Sequence, residues 1–430
     1  MTSLRDTHGH LVRLYDTAGH LMLGDEGDSA LTVRRGIAVD LWRTGRVTAT
    51  NRTAAATYLS PHRVRAEAKD LQLTWGGNLP VGVTMPLAAS ITVDGDRRRV
   101  TWGGQASILL DGETPATSDP IDLHVHPGQT IEAMTFYGAR SDGLAHPGAP
   151  GAWYSSEILP GDQTMTGQPG RDPAQGYDGS RGYRPIMPHA ITGLTRDDVR
   201  SWALLGDSIT ESGAPPLEAV GTAAAASRTW AHRTLDGAFP VVNTAIWGSS
   251  HASAGRVGTW ATIPDLTTCT DALLAWGFND LDQAWSAPSR DATYVQARAL
   301  ETWAWVGAEV PRLWQATISP ATTSTDGWAT IEGQTPRESW PYRRIFNAWL
   351  RDGAPLAGGA PAEPGATGAV RAGEAGHPLA GVIDQAARVE SEPGSGIFRV
   401  DHGPLTTDGG HPNLVGHDLM GAALADALGL

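Results

Sequence analysis

The sequence predicts an α/β domain with a parallel sheet, preceded by a domain built only of β-strands. Between about residues 30 and 160, short runs of alternating apolar and polar residues, such as "LQLTW" and "IDLHVHPG", end at Gly, Asp or Pro. After residue 195, apolar strand-like runs alternate with helical segments. This second rhythm is typical of a parallel sheet covered by helices on both faces.

The two patterns divide the chain into four regions. Residues 1–29 contain the related hexapeptides "DTHGHL" and "DTAGHL", which predict an N-terminal β-hairpin that serves as an attachment segment, or as a surface hairpin without a function. Residues 30–160 are predicted to form a β-sandwich. Residues 161–197 are rich in Gly and Pro and predict a linker or surface loop, and residues 198–430 form the α/β domain.

Within the α/β domain each element has its own signal. The apolar runs "SWALLGDS", "FPVVNTAIWG", "TDALLAWGFND" and "RLWQATISP" predict buried strands, and "GVIDQA" a late one. The segments "RTWAHRTLDG" and "ATYVQARALETWAWVGAEV" predict helices, and a last helix is expected from about 413 to 428. The Gly/Ala/Pro-rich residues 352–381 are expected to form a mobile loop.

Charge and composition exclude several classes of protein. A formal net charge of −14 disfavours binding to nucleic acid or to an anionic membrane surface, because both need clustered Lys and Arg. Cys269 is the single cysteine, so an intrachain disulfide is impossible and a cysteine-based metal site is not expected. No apolar run is long enough to predict membrane insertion, and "MTSLRDTHGHLVRLYD" lacks the apolar core of an export signal. The sequence leaves an extracellular, a virion-associated and a cytoplasmic location open.

Two separated stretches predict a nucleophile and its base. Ser208 follows an apolar strand in "WALLGDSITESG", at the carboxyl end where open α/β sheets bind ligands. A serine hydroxyl needs a base to become a good nucleophile. In "TTDGGHPNLVG", His411 can be that base, and Asp408, three residues earlier, can accept a hydrogen bond from its other ring nitrogen. The spacing therefore predicts a Ser-His-Asp catalytic triad.

Acyl transfer also requires donors for the negative oxygen of the intermediate. Gly248, in "VVNTAIWGSS", can offer its backbone N–H, and Asn279, in "WGFND", its side-chain amide. Both follow predicted strands. Together with the backbone N–H of Ser208 they predict an oxyanion hole with three donors.

These blocks resemble a known family. In order along the chain, "GDSI" (206–209), "NTAIWG" (243–248), "GFND" (277–280) and "DGGHP" (408–412) resemble the four-block pattern of the SGNH, or GDSL-type, hydrolases. The resemblance covers about residues 198–430. It implies a three-layer, flavodoxin-like α/β/α domain, and the β-rich part is similar to the jelly-roll-like sandwich of some bacterial carbohydrate-esterase-like members.

The resemblance also implies roles for individual residues. Ser208 would be nucleophile and oxyanion donor, Gly248 and Asn279 the other donors, His411 the base and Asp408 its partner, with no metal and no cofactor. The second block departs from the family, with Ala245 in place of a common glycine and Trp247 beside the block glycine. Trp247 is therefore a candidate for substrate binding, for instance by stacking on a sugar ring.

Other histidines and one carboxylate have simpler interpretations. His417 is expected on the last helix as a surface or packing residue, and His402 lacks the Asp-x-x-His-Pro setting of His411. His124 and His126 alternate on one strand and are expected to pack rather than to bind metal, because the sequence shows no further ligand at a suitable spacing. Asp280 is expected to cap a helix or to hold structure.

The function predicted from these residues is hydrolysis of acyl esters, with acetyl groups on a polysaccharide or other glycan as the first choice of substrate. The alternative is a phage tail or cell-surface protein whose hydrolase domain binds or trims surface glycans, which would bring virion partners. A homo-oligomer is also left open. Neighbouring genes would discriminate between a cellular esterase and a phage tail or cell-surface protein.

Overall fold

A computed structural model describes the greater part of the chain. The described residues are 14–15, 21–23, 31–39, 41–42, 56–75, 82–111, 114–138, 141, 188–211, 229–235, 237–245, 248–254, 266–282 and 290–430. The Gly/Pro-rich segment 161–187, most of the two N-terminal hexapeptides and Trp247 lie outside them.

The strands fall into two groups along the chain. The first group comprises β1 (Leu14–Tyr15), β2 (Leu21–Leu23), β3 (Leu31–Ile37), β4 (Leu41–Trp42), β5 (Ala56–Arg63), β6 (Ala68–Trp75), β7 (Thr84–Val93), β8 (Asp96–Arg99), β9 (Ile108–Asp111), β10 (Ala116–Thr117), β11 (Ile121–Val125), β12 (Thr130–Tyr137) and β13 (Ala190–Arg196). The second comprises β14 (Trp202–Gly206), β15 (Val241–Asn243), β16 (Asp271–Ala275), β17 (Arg312–Ala316), β18 (Thr322–Ser324), β19 (Gln334–Pro336), β20 (Leu356–Ala357), β21 (Ala360–Pro361) and β22 (Gly381–Ile383).

Helices occur between and after the strands of the second group. They are α1 (Ser208–Glu211), α2 (Trp230–Leu235), α3 (Phe278–Asp282), α4 (Ala292–Gly307), α5 (Trp340–Arg351), α6 (Ala386–Val389) and α7 (Leu414–Leu428), with a short 3₁₀ turn at Leu266–Thr268. The long helices begin and end at suitable residues. The Asp291 side chain accepts from the Tyr294 N–H at the start of α4, the Asn413 side chain accepts from the Gly416 N–H at the start of α7, and Gly429 closes α7 at φ 69°.

A parallel sheet forms the centre of the C-terminal part, in the order β22-β17-β16-β14-β15-β4. Alternate residues of its strands face opposite helical layers. Leu205 and Leu274 share a buried cluster with Trp303 of α4 and Trp349 of α5. Their neighbours Leu204 and Leu273 instead share a cluster with residues of α2 and α7, including Trp230 and Leu424. Helices thus cover both faces, as the strand–helix rhythm predicts.

Two antiparallel sheets make up most of the N-terminal part. One has the order β1-β2-β3-β13-β6-β10, with β11 also paired to β6. The other has the order β5-β12-β7-β8, with β9 also paired to β7. Both sheets contribute to one buried cluster, for example through Leu71 and Ile131. Their closer description as a jelly-roll-like sandwich remains a prediction, as do the domain boundaries.

Two strands lie in unexpected sheets. β13 falls in the segment predicted to be a linker, yet it pairs with β3 and β6 in the first antiparallel sheet. β4, within the predicted all-β region, pairs in parallel with β15 at the edge of the central sheet. The Gly and Pro content of residues 161–197 predicted a linker and gave no signal for β13, and the two residues of β4 are too few to show which sheet they join.

No helix within the described ranges is long and apolar enough to cross a membrane.

Candidate active site

The turn after β14 presents Ser208 at the carboxyl end of the parallel sheet. The Glu211 N–H donates to the Asp207 carbonyl oxygen at 2.8 Å, which closes the first turn of α1 directly around Ser208. Gly206 allows a close approach here, because a Cβ at this position would lie 2.7 Å from the Thr210 side chain. Ser208 is only 6% exposed. Its hydroxyl is therefore held in one place at the end of the strand.

The loop before α7 carries the other two residues of the predicted triad. Gly409 has φ 77°, and a Cβ there would lie 1.9 Å from the Thr322 carbonyl oxygen. The Thr322 N–H donates to the Gly409 carbonyl oxygen at 2.8 Å, which fastens the loop to β18. A residue with a side chain would meet both a strained backbone and a clash, so glycine is required at this position.

The structure brings Ser208, His411 and Asp408 into one hydrogen-bonded chain. The Ser208 Oγ lies 2.8 Å from the His411 Nε2, and the His411 Nδ1 lies 2.7 Å from the Asp408 Oδ2. An ionised carboxylate only accepts hydrogen bonds, so the Nδ1 must carry the hydrogen and the Nε2 is free to accept from the serine hydroxyl. This is the tautomer that a general base needs.

Asp408 is held as a carboxylate. Partial burial would raise the pKa of its carboxyl group, but the hydrogen bonds from the His411 ring and from the backbone N–H groups of His411 and Gly410 outweigh it and hold the pKa well below the usual range. Both backbone bonds reach Oδ1 at 2.8 Å. The second oxygen, Oδ2, remains for the imidazole. One tight turn therefore keeps Asp408 ionised and orients its carboxylate toward His411.

Hydrogen bonds also connect Asn279, and Ser249 directly after Gly248, to the serine turn. The Asn279 Nδ2 donates to the Ser249 carbonyl oxygen at 2.9 Å, and the Ser249 Oγ donates to the Gly206 carbonyl oxygen at 2.8 Å. Gly248, with φ 72°, is the residue before Ser249. An amide has two N–H bonds, so Asn279 keeps one for another acceptor. All four sequence blocks therefore meet at one edge of the sheet.

Two buried aspartates, Asp207 and Asp280, accept hydrogen bonds from backbone N–H groups of the segments at this edge of the sheet. The Asp280 carboxylate accepts from the backbone N–H groups of His251 and Ala252 at 2.8 and 3.0 Å, which agrees with its expected structural role. Asp207 accepts from the Ile209 N–H at 3.0 Å. Burial raises the pKa of both carboxyl groups, that of Asp207 to about 7. Neither was expected to titrate unusually, because burial is not readable from the motif alone.

Sequence reasoning missed a contact between Arg337 and the loop before α7 that carries Asp408 and His411, which we call the triad loop. The Arg337 Nη2 donates to the Asp408 carbonyl oxygen at 3.0 Å, and its Nη1 pairs with Asp282 of α3. The Trp328 side chain lies against the same loop, near Gly409. Trp328 has φ 62°, which is unusual for a bulky residue, and its Nε1 donates to the Thr322 Oγ1 at 2.9 Å. No spacing rule links residues so far apart in sequence.

The remaining histidines divide between packing and exposure. His417 is buried and its Nδ1 accepts from the Trp230 N–H at 3.3 Å, so of the two expected alternatives, surface or packing, it is a packing residue. His402 is exposed near Asp401. The prediction that His124 and His126 are packing residues is wrong, because both are exposed and Glu67, from the neighbouring chain segment, lies beside them. Cross-strand pairing supplied this carboxylate, which spacing along one strand did not reveal.

The chain shares structural likeness with GDSL-like lipases and acetylxylan esterases. One such structure is a protein named as a GDSL-like lipase from Parabacteroides merdae, with 15% identity and a TM-score of 0.36 over 54% of this chain and 98% of that chain. Another is an α/β-hydrolase enzyme from the metagenome of Lake Arreo, with 14% identity and a TM-score of 0.35 over 54% and 95%. A third is an acetylxylan esterase from Geobacillus stearothermophilus, with 14% identity and a TM-score of 0.34 over 54% and 94%.

No protein-family model and no curated protein matches the chain. With low identity over about half of the chain, the chemistry of this site has to follow from its own residues.

Proposed function

We propose that this protein is a serine hydrolase of the SGNH kind that cleaves carboxylic esters. The observation that carries the proposal is the continuous chain of hydrogen bonds from the Ser208 Oγ through the His411 imidazole to the Asp408 carboxylate, at 2.8 and 2.7 Å. A serine, a neutral imidazole and an ionised carboxylate in this order are the components of nucleophilic acyl transfer.

The reaction follows from the proton positions. The Ser208 Oγ attacks the ester carbonyl carbon while the His411 Nε2 takes the hydroxyl proton, and the Asp408 carboxylate stabilises the imidazolium that forms. The His411 then returns the proton to the departing alcohol, which leaves an acyl group on Ser208. A water molecule, deprotonated by the same imidazole, attacks the acyl-enzyme and releases the carboxylic acid.

The negative oxygen of each intermediate needs fixed donors. We assign this role to the backbone N–H groups of Ser208 and Gly248 and to the second amide N–H of Asn279. The bond from Asn279 to the Ser249 carbonyl supports the assignment, because it holds the amide beside the Gly248 turn. A donor of this kind typically contributes about 10²–10³-fold to kcat.

The narrower part of the proposal is the substrate, for which we propose acetyl esters on a glycan. It rests on the β-rich region that accompanies the hydrolase part, since such a region can hold an extended chain of sugars next to the site. Rates on a series of acetyl, butyryl and octanoyl esters of one chromogenic alcohol would test the acyl group. Release of acetate from acetylated xylan and chitin oligosaccharides would test the alcohol.

Replacement of the nucleophile is the main test of the activity. Ser208→Ala should lower kcat on a chromogenic acetate ester by about 10⁴-fold or more, because the remaining residues cannot form an acyl-enzyme. The matched control is Ser107→Ala, an exposed serine of the N-terminal part, which should keep the rate within a few fold. Retention of most of the activity by Ser208→Ala, in protein with an unchanged unfolding transition, would contradict the proposal.

A further inference from the structure

We propose that Glu67, His124 and His126 form a binding site for a divalent transition-metal ion. This site goes beyond ester hydrolysis and lies on the antiparallel sheet that contains β6 and β11, whereas the triad lies at the end of the parallel sheet. All three residues are exposed, so an ion can reach them from solvent.

The strand pairing brings the three side chains together. His124 and His126 are two residues apart, so both project from the same face of the sheet. In the antiparallel register His124 lies opposite Lys69 and Val125 opposite Ala68, which places Glu67 opposite His126, one position further along. Residues directly opposite each other share a face. The pairing therefore converts an ordinary His-x-His sequence into a three-residue cluster.

The donor atoms are close enough to share one ion. One nitrogen of each histidine and one carboxylate oxygen all lie within 4.8 Å of one another. The Glu67 Oε1 lies 2.6 Å from the His124 Nε2, and the centres of the two imidazole rings are 4.2 Å apart. Two donor atoms bound at about 2.0–2.2 Å to one ion lie about 3–3.5 Å apart, so small rotations of these exposed side chains would bring all three donors to binding distance.

The ligand types select a class of ion. Two imidazoles and one carboxylate suit Zn²⁺, Ni²⁺ and Cu²⁺, whereas Ca²⁺ and Mg²⁺ prefer sites made of oxygen atoms only. Among these ions, Cu²⁺ should bind most tightly. Water molecules would complete the coordination, because the cluster faces solvent.

Charges around the cluster act in both directions. The hydrogen bond from His124 lowers the pKa of the Glu67 carboxyl group, despite slight burial, and keeps it as a carboxylate. Lys69, opposite His124 on the same face, is the chain's only lysine and places a positive charge close by. A neighbouring ammonium group weakens the attraction for a cation, so its removal should strengthen binding.

A bound ion would join β11 to the start of β6. Among the described strands β11 pairs with β6 alone, and its register shifts between Ile121 and His124. A ligand that binds the folded state but not the unfolded one raises the unfolding temperature as its concentration increases. Metal binding should therefore be visible in thermal unfolding as well as in titration.

The test is calorimetric titration of the full chain, without an affinity tag and after removal of metals, with ZnCl₂, NiCl₂ and CuCl₂. We expect one ion per chain, a rise in unfolding temperature, and nitrogen couplings in the electron paramagnetic resonance spectrum of the Cu²⁺ form. Glu67→Gln and His126→Asn should each weaken binding by about tenfold or more, since even the outer partners of metal ligands contribute this much. Lys69→Gln should strengthen it.

A matched control separates this cluster from histidines in general. His402→Asn removes another exposed histidine and should leave the isotherm unchanged. If Glu67→Gln and His126→Asn bind like the unaltered protein, or if no ion binds at all, the proposal is overturned and the cluster is an ordinary His–Glu contact. The titration does not measure hydrolysis of the acetate ester. The metal-site proposal can therefore fail while the proposed function holds, and the reverse is also true.

Discussion

Asp207, beside the proposed nucleophile, is a buried carboxyl group whose pKa differs between the folded and the unfolded protein. It is 1% exposed, and its Oδ2 has no hydrogen-bond partner among the residues that the structure describes. A carboxylate in such surroundings is costly, and the nearby Asp280 adds to the cost, so the pKa of Asp207 rises to about 7. The residue is therefore largely protonated in slightly acidic solution, whereas an unfolded chain would ionise it near pH 4.

This difference predicts how stability depends on pH. Between the unfolded and the folded pKa the unfolded state releases the proton first, so the contribution of Asp207 to stability is full at low pH and is lost as the pH rises to about 7. Asp207→Asn cannot ionise, so the variant should not show this loss of unfolding free energy with rising pH. From pH 5 to pH 8 the unaltered protein should lose roughly 2–3 kcal/mol more unfolding free energy than the variant.

Urea unfolding at several pH values measures this difference. Asp122→Asn, at an exposed position of β11, is the control and should follow the unaltered protein. An identical pH dependence for Asp207→Asn and the unaltered protein would contradict the raised pKa.

At the level of elements, the hairpin of β18 and β19 contacts the loop that carries His411, the proposed base. The Thr322 N–H donates to the Gly409 carbonyl oxygen, and Arg337, directly after β19, donates to the Asp408 carbonyl oxygen. Arg337 also pairs with Asp282, which connects the hairpin to α3, the helix that carries Asn279. The proposed base His411 and the proposed oxyanion donor Asn279 thus lie on segments that contact the same hairpin.

Two adjacent glycines of the loop should differ sharply on substitution. Gly409→Ala combines φ 77° with a Cβ 1.9 Å from the Thr322 carbonyl oxygen, so the loop must move away from β18. A displacement of about 1 Å in a positioned catalytic group costs roughly 10²-fold in rate, and we expect a fall in kcat of that size.

Gly410→Ala is the matched control. Its nearest neighbour would be the edge of Phe278 at 3.2 Å, a half-buried side chain that can shift slightly, so kcat should stay within a few fold. The prediction is checked by measuring kcat and KM of Gly409→Ala and Gly410→Ala on the chromogenic acetate ester. Equal activity in both would show that the contact with β18 does not position His411.

Local signals predicted the elements well where each was continuous in sequence. The helix over 292–307 follows from the helical pattern of its sequence, and Ser208 and Asn279 lie just after β14 and β16, as expected of polar residues that follow apolar strands. Residues 352–381, expected to be a mobile loop, instead contain the short pair β20 and β21. Gly and Pro indicate turns, but they do not show whether the turns are tied together.

Contacts between distant segments were the part that local patterns did not reveal. The two residues of β4 are too few to have a period, and their parallel partner is about 200 positions away. The pairing of Glu67 with the His-x-His strand and the contact of Arg337 with the triad loop have the same origin. Each depends on register or on folded proximity, which a single sequence does not encode locally.

In the whole molecule, the proposed active site and a cluster of ion pairs lie at opposite ends of the parallel sheet. The carboxyl ends of β14 and β16 lead to Ser208 and Asn279, whereas the amino end of β16 begins with Asp271. Asp271 is fully buried and paired with Arg200 and Arg312 at 2.9 and 2.8 Å. The proposed active site and this buried ionic cluster are therefore separated by the length of the strands.

Removal of Asp271 should lower stability without changing the chemistry. Asp271→Ala leaves the Trp314 Nε1–H without its acceptor and leaves two guanidinium groups that are 27% and 43% exposed, so solvent can hydrate both ions and the loss should be about 1–3 kcal/mol. The contrasting variant is Arg312→Met, whose side chain is 43% exposed, so its pair contributes less and the loss should stay near 1 kcal/mol. Urea unfolding gives both values, and kcat per folded molecule should match the unaltered protein in each. A large fall in kcat for Asp271→Ala in fully folded protein would mean that the amino end of the sheet also positions the triad, because the strands would then transmit its displacement to Ser208.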